Sequence, residues 1–246
     1  MELTVLGCWA AYPAAGQACS GYVVKNGDTR ILLDCGHGVF SKLGQYEDFI
    51  NLDAVYISHF HPDHYVDLYA LRHAIRASIY LGKRKQPLKV YMPGEPAGMI
   101  EQWRQHPELE VVKVHTDMEI RVGEFDLSFY STSHPVPGLA VRLTAGSRSL
   151  FYTGDTSFDE RLVMASKRVN VILAESTMSD AEQDYALERG HMTTRDVAEW
   201  ARQSEPDLLV ATHFWDGYNR DDVKKELISH CDTKLIMAYE GLRLTI

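Results

Sequence analysis

Positive charge, cysteine and long apolar runs are what this sequence has little of. Its 25 lysines and arginines face 34 aspartates and glutamates, a formal net charge of -9. A protein that grips nucleic acid chiefly through phosphates needs the opposite balance. The one local basic run, "LGKRKQPLK" at Leu81 to Lys89, reads as a solvated loop between two elements. The 4 cysteines, Cys8, Cys19, Cys35 and Cys231, show no C-x-x-C pair and no framework spacing. They are expected as small buried hydrophobes, not as disulfides or thiolate ligands. No stretch is long and apolar enough to span a bilayer. The opening "MELTVLGCWA" has no basic n-region and reads as a strand rather than a signal peptide. A reduced cytoplasm is therefore the expected compartment. Low-complexity segments and long linkers are also missing, so residues 1–246 are expected to form one domain.

What is there is β-rich, with helices spaced between the strands. "GYVVKNGDTRILLDCG" flanks Asn26-Gly27 with two β-rich runs, a hairpin signal. "DAVYISH", Asp53 to His59, is apolar enough for a strand covered on both faces, and Pro62 stops it. "HYVDLYALRHAIRASIY" has helical spacing of its apolar residues. "LKVYMPG" is read as a strand and Ala97 to Gln105 as a short helix. "LEVVKVH", "EIRVGEFDLSFYSTS" and "LAVRLTAGSRSLFYTGD" are β-rich, the last two with turns at Gly123-Glu124 and Ala145-Gly146-Ser147. "VNVILAEST" and "DLLVATH" are buried strands, and "RDDVKKELISHC" is a helix. "TTRDVAEWARQS" is a helix whose Thr193 and Asp196 stand in capping-box relation. One or two strands close the chain in "KLIMAYEGLRLTI". A weak internal echo links "RILLDCGHGVF" to "SLFYTGDTSF": each is a β-rich run, a Gly/Asp turn and a phenylalanine, leading to an apolar strand. Two such halves with helices outside would make an α/β four-layer αββα sandwich.

Histidine is a minor residue, 11 of 246, yet "SHFHPDH" packs His59, His61, Asp63 and His64 together. This is either half of a metal site or a polar turn rich in imidazole. Other apolar runs also end in ligand-type residues: His134 after "SFYSTS", Asp155 after "SLFYTG" and His213 after "LLVAT". Strand C-termini in layered α/β folds open onto the crevice where ligands bind. His59 and His61 would point the same way if the segment is extended. Asp63 and His64 would begin the next helix, where the dipole favours a carboxylate. Imidazole with carboxylate suits zinc first, then manganese or iron. A bridging Asp155 would suit a pair of metals.

These motifs resemble those of the metallo-β-lactamase superfamily. "HFHPDH" is similar to its H-x-H-x-D-H motif, and "SHPVPG", "TGDTS" and "ATHFWDG" look like its remaining ligand motifs in order. The resemblance spans essentially the whole chain and is nearest to the ribonuclease Z-like branch of phosphodiesterases, in particular its short bacterial hydrolases. It implies the αββα metallo-β-lactamase fold with two mixed sheets. It also implies two divalent metals, zinc foremost: His59, His61 and His134 on one, Asp63, His64 and His213 on the other, with Asp155 shared. Water acidified between them would be the nucleophile, with Asp63 orienting it and taking its proton. Asp34, in "LLDCG", would fix a ligand histidine. Glu175 in "AEST" and His191 in "GHMTT" resemble that branch's H-E-[SA]-T and H-S-T motifs, in which the histidine protonates the leaving oxygen or binds the phosphate. Ala174 and Met192 depart from those motifs, and His37 stands where that branch carries glutamate.

The aspartate at 155, where the best-known zinc β-lactamases have cysteine, accompanies phosphodiester and thioester hydrolysis. The leading expectation is hydrolysis of a small or cyclic phosphodiester. The alternatives are a lactone, thioester or β-lactam carbonyl on the same site, or ribonuclease Z-like RNA processing. A sensor without turnover is disfavoured by the intact ligand set. The tRNA-binding arm of ribonuclease Z has no room in the short span from His134 to Asp155, so tRNA is not an expected partner. A homodimer is a family-level expectation.

Overall fold

The computed structural model describes residues 1–116 and 118–246. Its first half runs β1 (Glu2–Gly7), β2 (Trp9–Ala10), β3 (Gly21–Asn26), β4 (Thr29–Leu33) and α1 (Val39–Leu43). There follow β5 (Ala54–Tyr56), α2 (Pro62–Tyr65), α3 (Leu68–Tyr80), β6 (Leu88–Pro93), α4 (Ala97–Arg104) and β7 (Leu109–Val114). The second half opens with β8 (Glu119–Val122), β9 (Phe125–Ser131), β10 (Leu139–Ala145), β11 (Arg148–Tyr152) and α5 (Glu160–Ala165). It continues through β12 (Val171–Glu175), α6 (Gln183–Arg189), α7 (Thr194–Ser204), β13 (Leu208–Thr212) and β14 (Phe214–Trp215). Helix α8 (Arg220–His230) and strands β15 (Leu235–Met237) and β16 (Arg243–Thr245) complete it.

The strands form two seven-stranded sheets, ordered β16-β1-β3-β4-β5-β6-β7 and β15-β13-β12-β11-β10-β9-β8, plus a small pair β14-β2. Both large sheets are mixed. In the first, β1, β3 and β4 are antiparallel, and β4 to β7 are parallel. The second repeats the plan, with β8 to β11 antiparallel and β11, β12, β13 and β15 parallel. The echo in the sequence is this repeat. Its two β-rich runs are β4 and β11, the strands at which each sheet changes from antiparallel to parallel.

Period-two side-chain alternation assigns the layers. In β3, β4 and β5, Tyr22, Val24, Ile31, Leu33, Ala54 and Tyr56 join a core shared with the second sheet. The intervening Val23, Leu32 and Val55 join a separate core against Val39 of α1, Leu71 and Ile75 of α3 and Trp103 of α4. On the far side, Val197 and Trp200 of α7 pack with the second sheet, Trp200 at 6.3 Å from the ring of Phe151. Helix, sheet, sheet and helix stack in that order, the expected α/β four-layer sandwich. Among the described residues, no helix is long and apolar enough to cross a membrane. Cys8, Cys19 and Cys35 are buried, and burial pushes the Cys8 thiol up to about 11.

Several boundaries differ from expectation for identifiable reasons. The strand read over Asp53 to His59 ends at Tyr56. Beyond it the Ser58 N–H donates to the Asp34 carboxylate at 2.7 Å, drawing the chain out of the ladder. The helix read from His64 onward breaks at Val66-Asp67. There the Asp67 N–H donates to the Cys35 carbonyl and its carboxylate accepts from the Phe40 N–H. The hairpin turn is Gly27-Asp28, with Asn26 paired to Thr29. Two strands close the chain, as β15 in the second sheet and β16 in the first. The short helices α1, α5 and α6 give too few turns for a periodic signal. Helix α7 begins with the complete capping box of Thr193 and Asp196.

Candidate metal centre

The site lies where strand C-termini of both sheets meet. Strand β4 delivers Asp34, the segment after β5 delivers Ser58 to His61, and α2 presents Asp63 and His64. From the second sheet, the segment after β9 carries His134, and β11 and β13 are followed by Asp155 and His213. Asp34 and His213 have left-handed backbones, φ 56° and 60°. A left-handed non-glycine residue is costly and persists where the surroundings over-determine it.

All seven expected ligand residues converge in two groups that could each hold a metal ion, His59, His61, His134 and Asp155 in one, Asp63, His64 and His213 in the other. In the first, His61 Nδ1 lies 3.1 Å from His59 Nε2 and 3.2 Å from His134 Nε2, and Asp155 Oδ2 is 3.5 Å from His59 Nε2. In the second, His64 Nε2 and His213 Nε2 are 3.0 Å apart, and Asp63 Oδ2 lies 3.6 and 3.5 Å from them. Asp155 Oδ1 reaches this group at 3.3 Å from His64 and 3.2 Å from His213. One carboxylate thus spans both groups with a different oxygen on each. His59 and His61 converge through a loop and not through strand alternation, because β5 ends before them.

Three observations fit this donor set to divalent cations. A tetrahedron with metal–ligand bonds near 2.0–2.1 Å has edges of about 3.3 Å, the spacing these donor atoms keep. Asp155 Oδ1 is buried and has no hydrogen-bond partner, an arrangement that costs stability unless something else satisfies it. Burial also holds His59 well below the usual histidine range, and lowers His61 and His134, so their imidazoles stay neutral with a free lone pair. Burial alone would push the Asp155 carboxyl up, but His213 and His64 outweigh it and hold it well below the carboxylate range.

The outer hydrogen bonds settle which nitrogen faces inward. Asp34 accepts from His64 Nδ1, from the Ser58 N–H and hydroxyl, each at 2.7 Å, and from the Tyr152 hydroxyl at 2.5 Å. Burial pushes His64 down, but Asp155, Asp63 and Asp34 outweigh it and hold it well above the histidine range, so Nε2 faces the cluster with a proton that a bound cation would displace, while Nδ1 keeps its own for Asp34. Thr177 donates its hydroxyl to Glu175 Oε2 at 2.6 Å and so accepts from His213 Nδ1 at 2.7 Å, which leaves Nε2 free. His134 Nδ1 donates to the Gly190 carbonyl at 3.0 Å. Gly190 is required there: its φ is +74°, and a Cβ would meet His134 Nδ1 at 2.9 Å. Fixed tautomers of this kind are what ligand histidines need.

Beside the cluster, His191 Nδ1 donates to Glu175 Oε1 at 3.0 Å. Burial pushes His191 down, but Glu175 outweighs it and raises it to about 9. Both line or back a cavity of about 650 Å³ that also exposes His61, Asp63, Asp155 and His213. Three aromatic side chains, Tyr185, Trp215 and Tyr218, line it. The Arg220 guanidinium lies against the rings of Trp9 and Phe214, and Phe158 packs edge-on against Trp200. Sequence reasoning gave no role to Ser58, Tyr152, Thr177 or Tyr185. Ser58 and Thr177 lie within the quoted motifs, whereas Tyr152 meets Asp34 across 118 positions, which no local pattern reveals. His73, His106 and His230 lie elsewhere, beside Arg72, Trp103 and Asp180 respectively.

A model of the Beta-lactamase superfamily domain matches residues 29–214. The chain is 32% identical over 226 residues to a "Probable metallo-hydrolase YhfI" of Bacillus subtilis (strain 168), covering 92% of each chain. It is 28% identical to a ribonuclease Z of Myxococcus xanthus (strain DK1622), covering 91% of this chain and 90% of that one. Among solved structures, the Bacillus subtilis metallo-β-lactamase fold protein YhfI superposes with a TM-score of 0.95 at 29% identity, over 99% of this chain and 98% of that one. The short form of human tRNase Z shares the fold, with a TM-score of 0.81 at 22% identity over 100% of this chain and 99% of that one.

Proposed function

The chain belongs to the β-lactamase superfamily of metallo-hydrolases, and we propose that it hydrolyses small or cyclic phosphodiesters on a pair of divalent metals, zinc foremost. His59, His61 and His134 would hold one metal, Asp63, His64 and His213 the other, with Asp155 between them. When bound, such cations supply Lewis acidity toward the phosphoryl oxygens and acidify water within reach.

The chain's own groups do the rest. The Asp63 carboxylate, aligned by the second histidine group, orients the attacking water and accepts its proton. Asp34 and Thr177 hold His64 and His213 in one tautomer. His191 gives its proton to the departing alkoxide, and Glu175 keeps that proton on the imidazole until then.

The single observation that carries the phosphodiester reading is this Glu175–His191 pair beside the shared carboxylate. A proton donor held up to about 9 serves an alkoxide leaving group, which leaves badly without a proton. A thiolate needs it far less. The ribonuclease Z relatives share the reading at the level of reaction class. The span from His134 to Asp155 contains only the β10–β11 hairpin, turning at Gly146, which favours a small substrate over tRNA.

A panel on metal-loaded protein tests this: cyclic and linear diesters, monoesters, lactones, thioesters and precursor tRNA. Diester turnover is the expected result. Turnover of a thioester or lactone with none of any diester would overturn it.

A further inference from the structure

The wall of the site beside His213 hangs on a very short ribbon. Strands β2 and β14 have two residues each, pairing Trp9 with Phe214 and Ala10 with Trp215. A ladder that short does not hold itself, since even an isolated hairpin is marginal in water. Yet this one begins at the residue after His213, and its Ala10 and Trp215 line the cavity. His213 itself keeps the costly left-handed φ of 60°. Something outside the ribbon must keep it closed.

Arg220 is that tie. It is the first residue of α8, set there by the Asn219 cap, and Val223 and Leu227 seat the helix in the core. Its guanidinium carbon lies 5.2 Å from the centre of the Trp9 ring and 4.4 Å from that of Phe214, the two members of one ribbon pair. The side chain donates to the Ala238 carbonyl at 2.6 Å, just beyond β15. It also reaches Cys8 Sγ at 3.8 Å, just before β2. One side chain thus touches all three segments that meet at the ribbon.

Those partners are a carbonyl, a sulfur and two ring faces, so the guanidinium serves as a flat plate with a fork of donors. They also bracket His213. Ala238 donates its N–H to the Ala211 carbonyl at 2.7 Å, two residues before His213. Phe214 follows His213 directly, and its N–H donates to the Cys8 carbonyl at 2.8 Å. The other donor group is carried elsewhere, with His59 and His61 after β5 and His134 after β9. None of the Arg220 partners named above lies on those segments.

We infer, resting on the two-metal reading, that Arg220 is a positioning residue for the second donor group. By clamping the ribbon it fixes the backbone of His213, and so sets the affinity of Asp63, His64 and His213 for their cation. Thr177 holds the imidazole from its Nδ1 side, and Arg220 holds the chain that carries it. Loss of the clamp weakens one metal position and spares the other.

The test is zinc binding to the metal-free protein, resolved into its steps by competition with a chromogenic chelator. His213→Ala marks the step that belongs to the second group. Arg220→Met should weaken that step by roughly tenfold and leave the other within about twofold. Arg220→Lys, which keeps the charge but not the plate, should weaken it in the same direction. Val223→Ala, a core truncation in the same helix, controls for general destabilisation: it should lower the urea midpoint and move neither step. Equal weakening of both steps, no weakening by either Arg220 variant, or the same selective loss in Val223→Ala would overturn the inference. So would failure of both Arg220 variants to fold, because a local tie is not a condition of folding. Fewer than two steps in the unmodified protein would sink the two-metal reading and this inference with it. Two steps indifferent to Arg220 would sink this inference alone.

Discussion

Asp34 shows how much of the site rests on residues outside the two donor groups themselves. Four donors converge on it from Ser58, His64 and Tyr152, and it links the first sheet's switch strand to the second's. Asp34→Asn should therefore lower zinc affinity by roughly 10- to 100-fold, read by competition with a chromogenic chelator. Thr177→Ala should act in the same direction through His213. His191 gives a different kind of prediction. Held up to about 9 by Glu175, it carries its proton at neutral pH and loses it as pH rises through that value. Diester hydrolysis should fall on that alkaline limb, and Glu175→Gln should move the limb to lower pH, toward the ordinary histidine value of about 6.5. His191→Ala should cost roughly 100- to 10,000-fold on alkyl diesters and much less on p-nitrophenyl diesters, whose leaving group needs no proton. The seven converging residues were legible because His59, His134, Asp155 and His213 each follow an apolar run and His61, Asp63 and His64 cluster just beyond His59. Tyr152 was not, since its meaning depends on a neighbour 118 positions away that only the fold supplies.

At the level of elements, the order of strands and helices could be read, but some of their ends could not. The segment from Ile57 to His61 looks like a strand continuing, yet its amide is taken by a side chain 24 positions earlier. Propensity does not register such a competitor. Conversely, the Thr193–Asp196 capping box was readable because its signal lies wholly within four residues. That cap stands two residues after His191, so the start of α7 anchors the proton donor to the second sheet. Thr193→Ala should cost about 1 kcal/mol of stability, measured by urea unfolding, because the hydroxyl satisfies the N–H of Asp196 at the helix start. His191 should also become less well placed, seen as a lower rate at saturating diester.

For the whole molecule, the internal echo in the sequence has a structural meaning. The two halves share one plan: an antiparallel block, a switch strand with an aspartate just beyond its end, then parallel strands. In the first half that aspartate is Asp34, which orients a histidine. In the second it is Asp155, which spans both metal groups. The same strand end thus serves two roles, and the cluster forms only where the halves meet. Because one core is common to both sheets, we expect a single cooperative unfolding transition over residues 1–246, raised by zinc and lowered by chelation. Two separate transitions in calorimetry would contradict the single unit.

We propose that two metals on this cluster together drive diester hydrolysis. The most direct measurement is a zinc titration of the metal-free protein while following hydrolysis of bis(p-nitrophenyl) phosphate. The rate should rise to a plateau at two equivalents per chain and be lost in His64→Ala. A plateau at one equivalent, or full activity in His64→Ala, would contradict it.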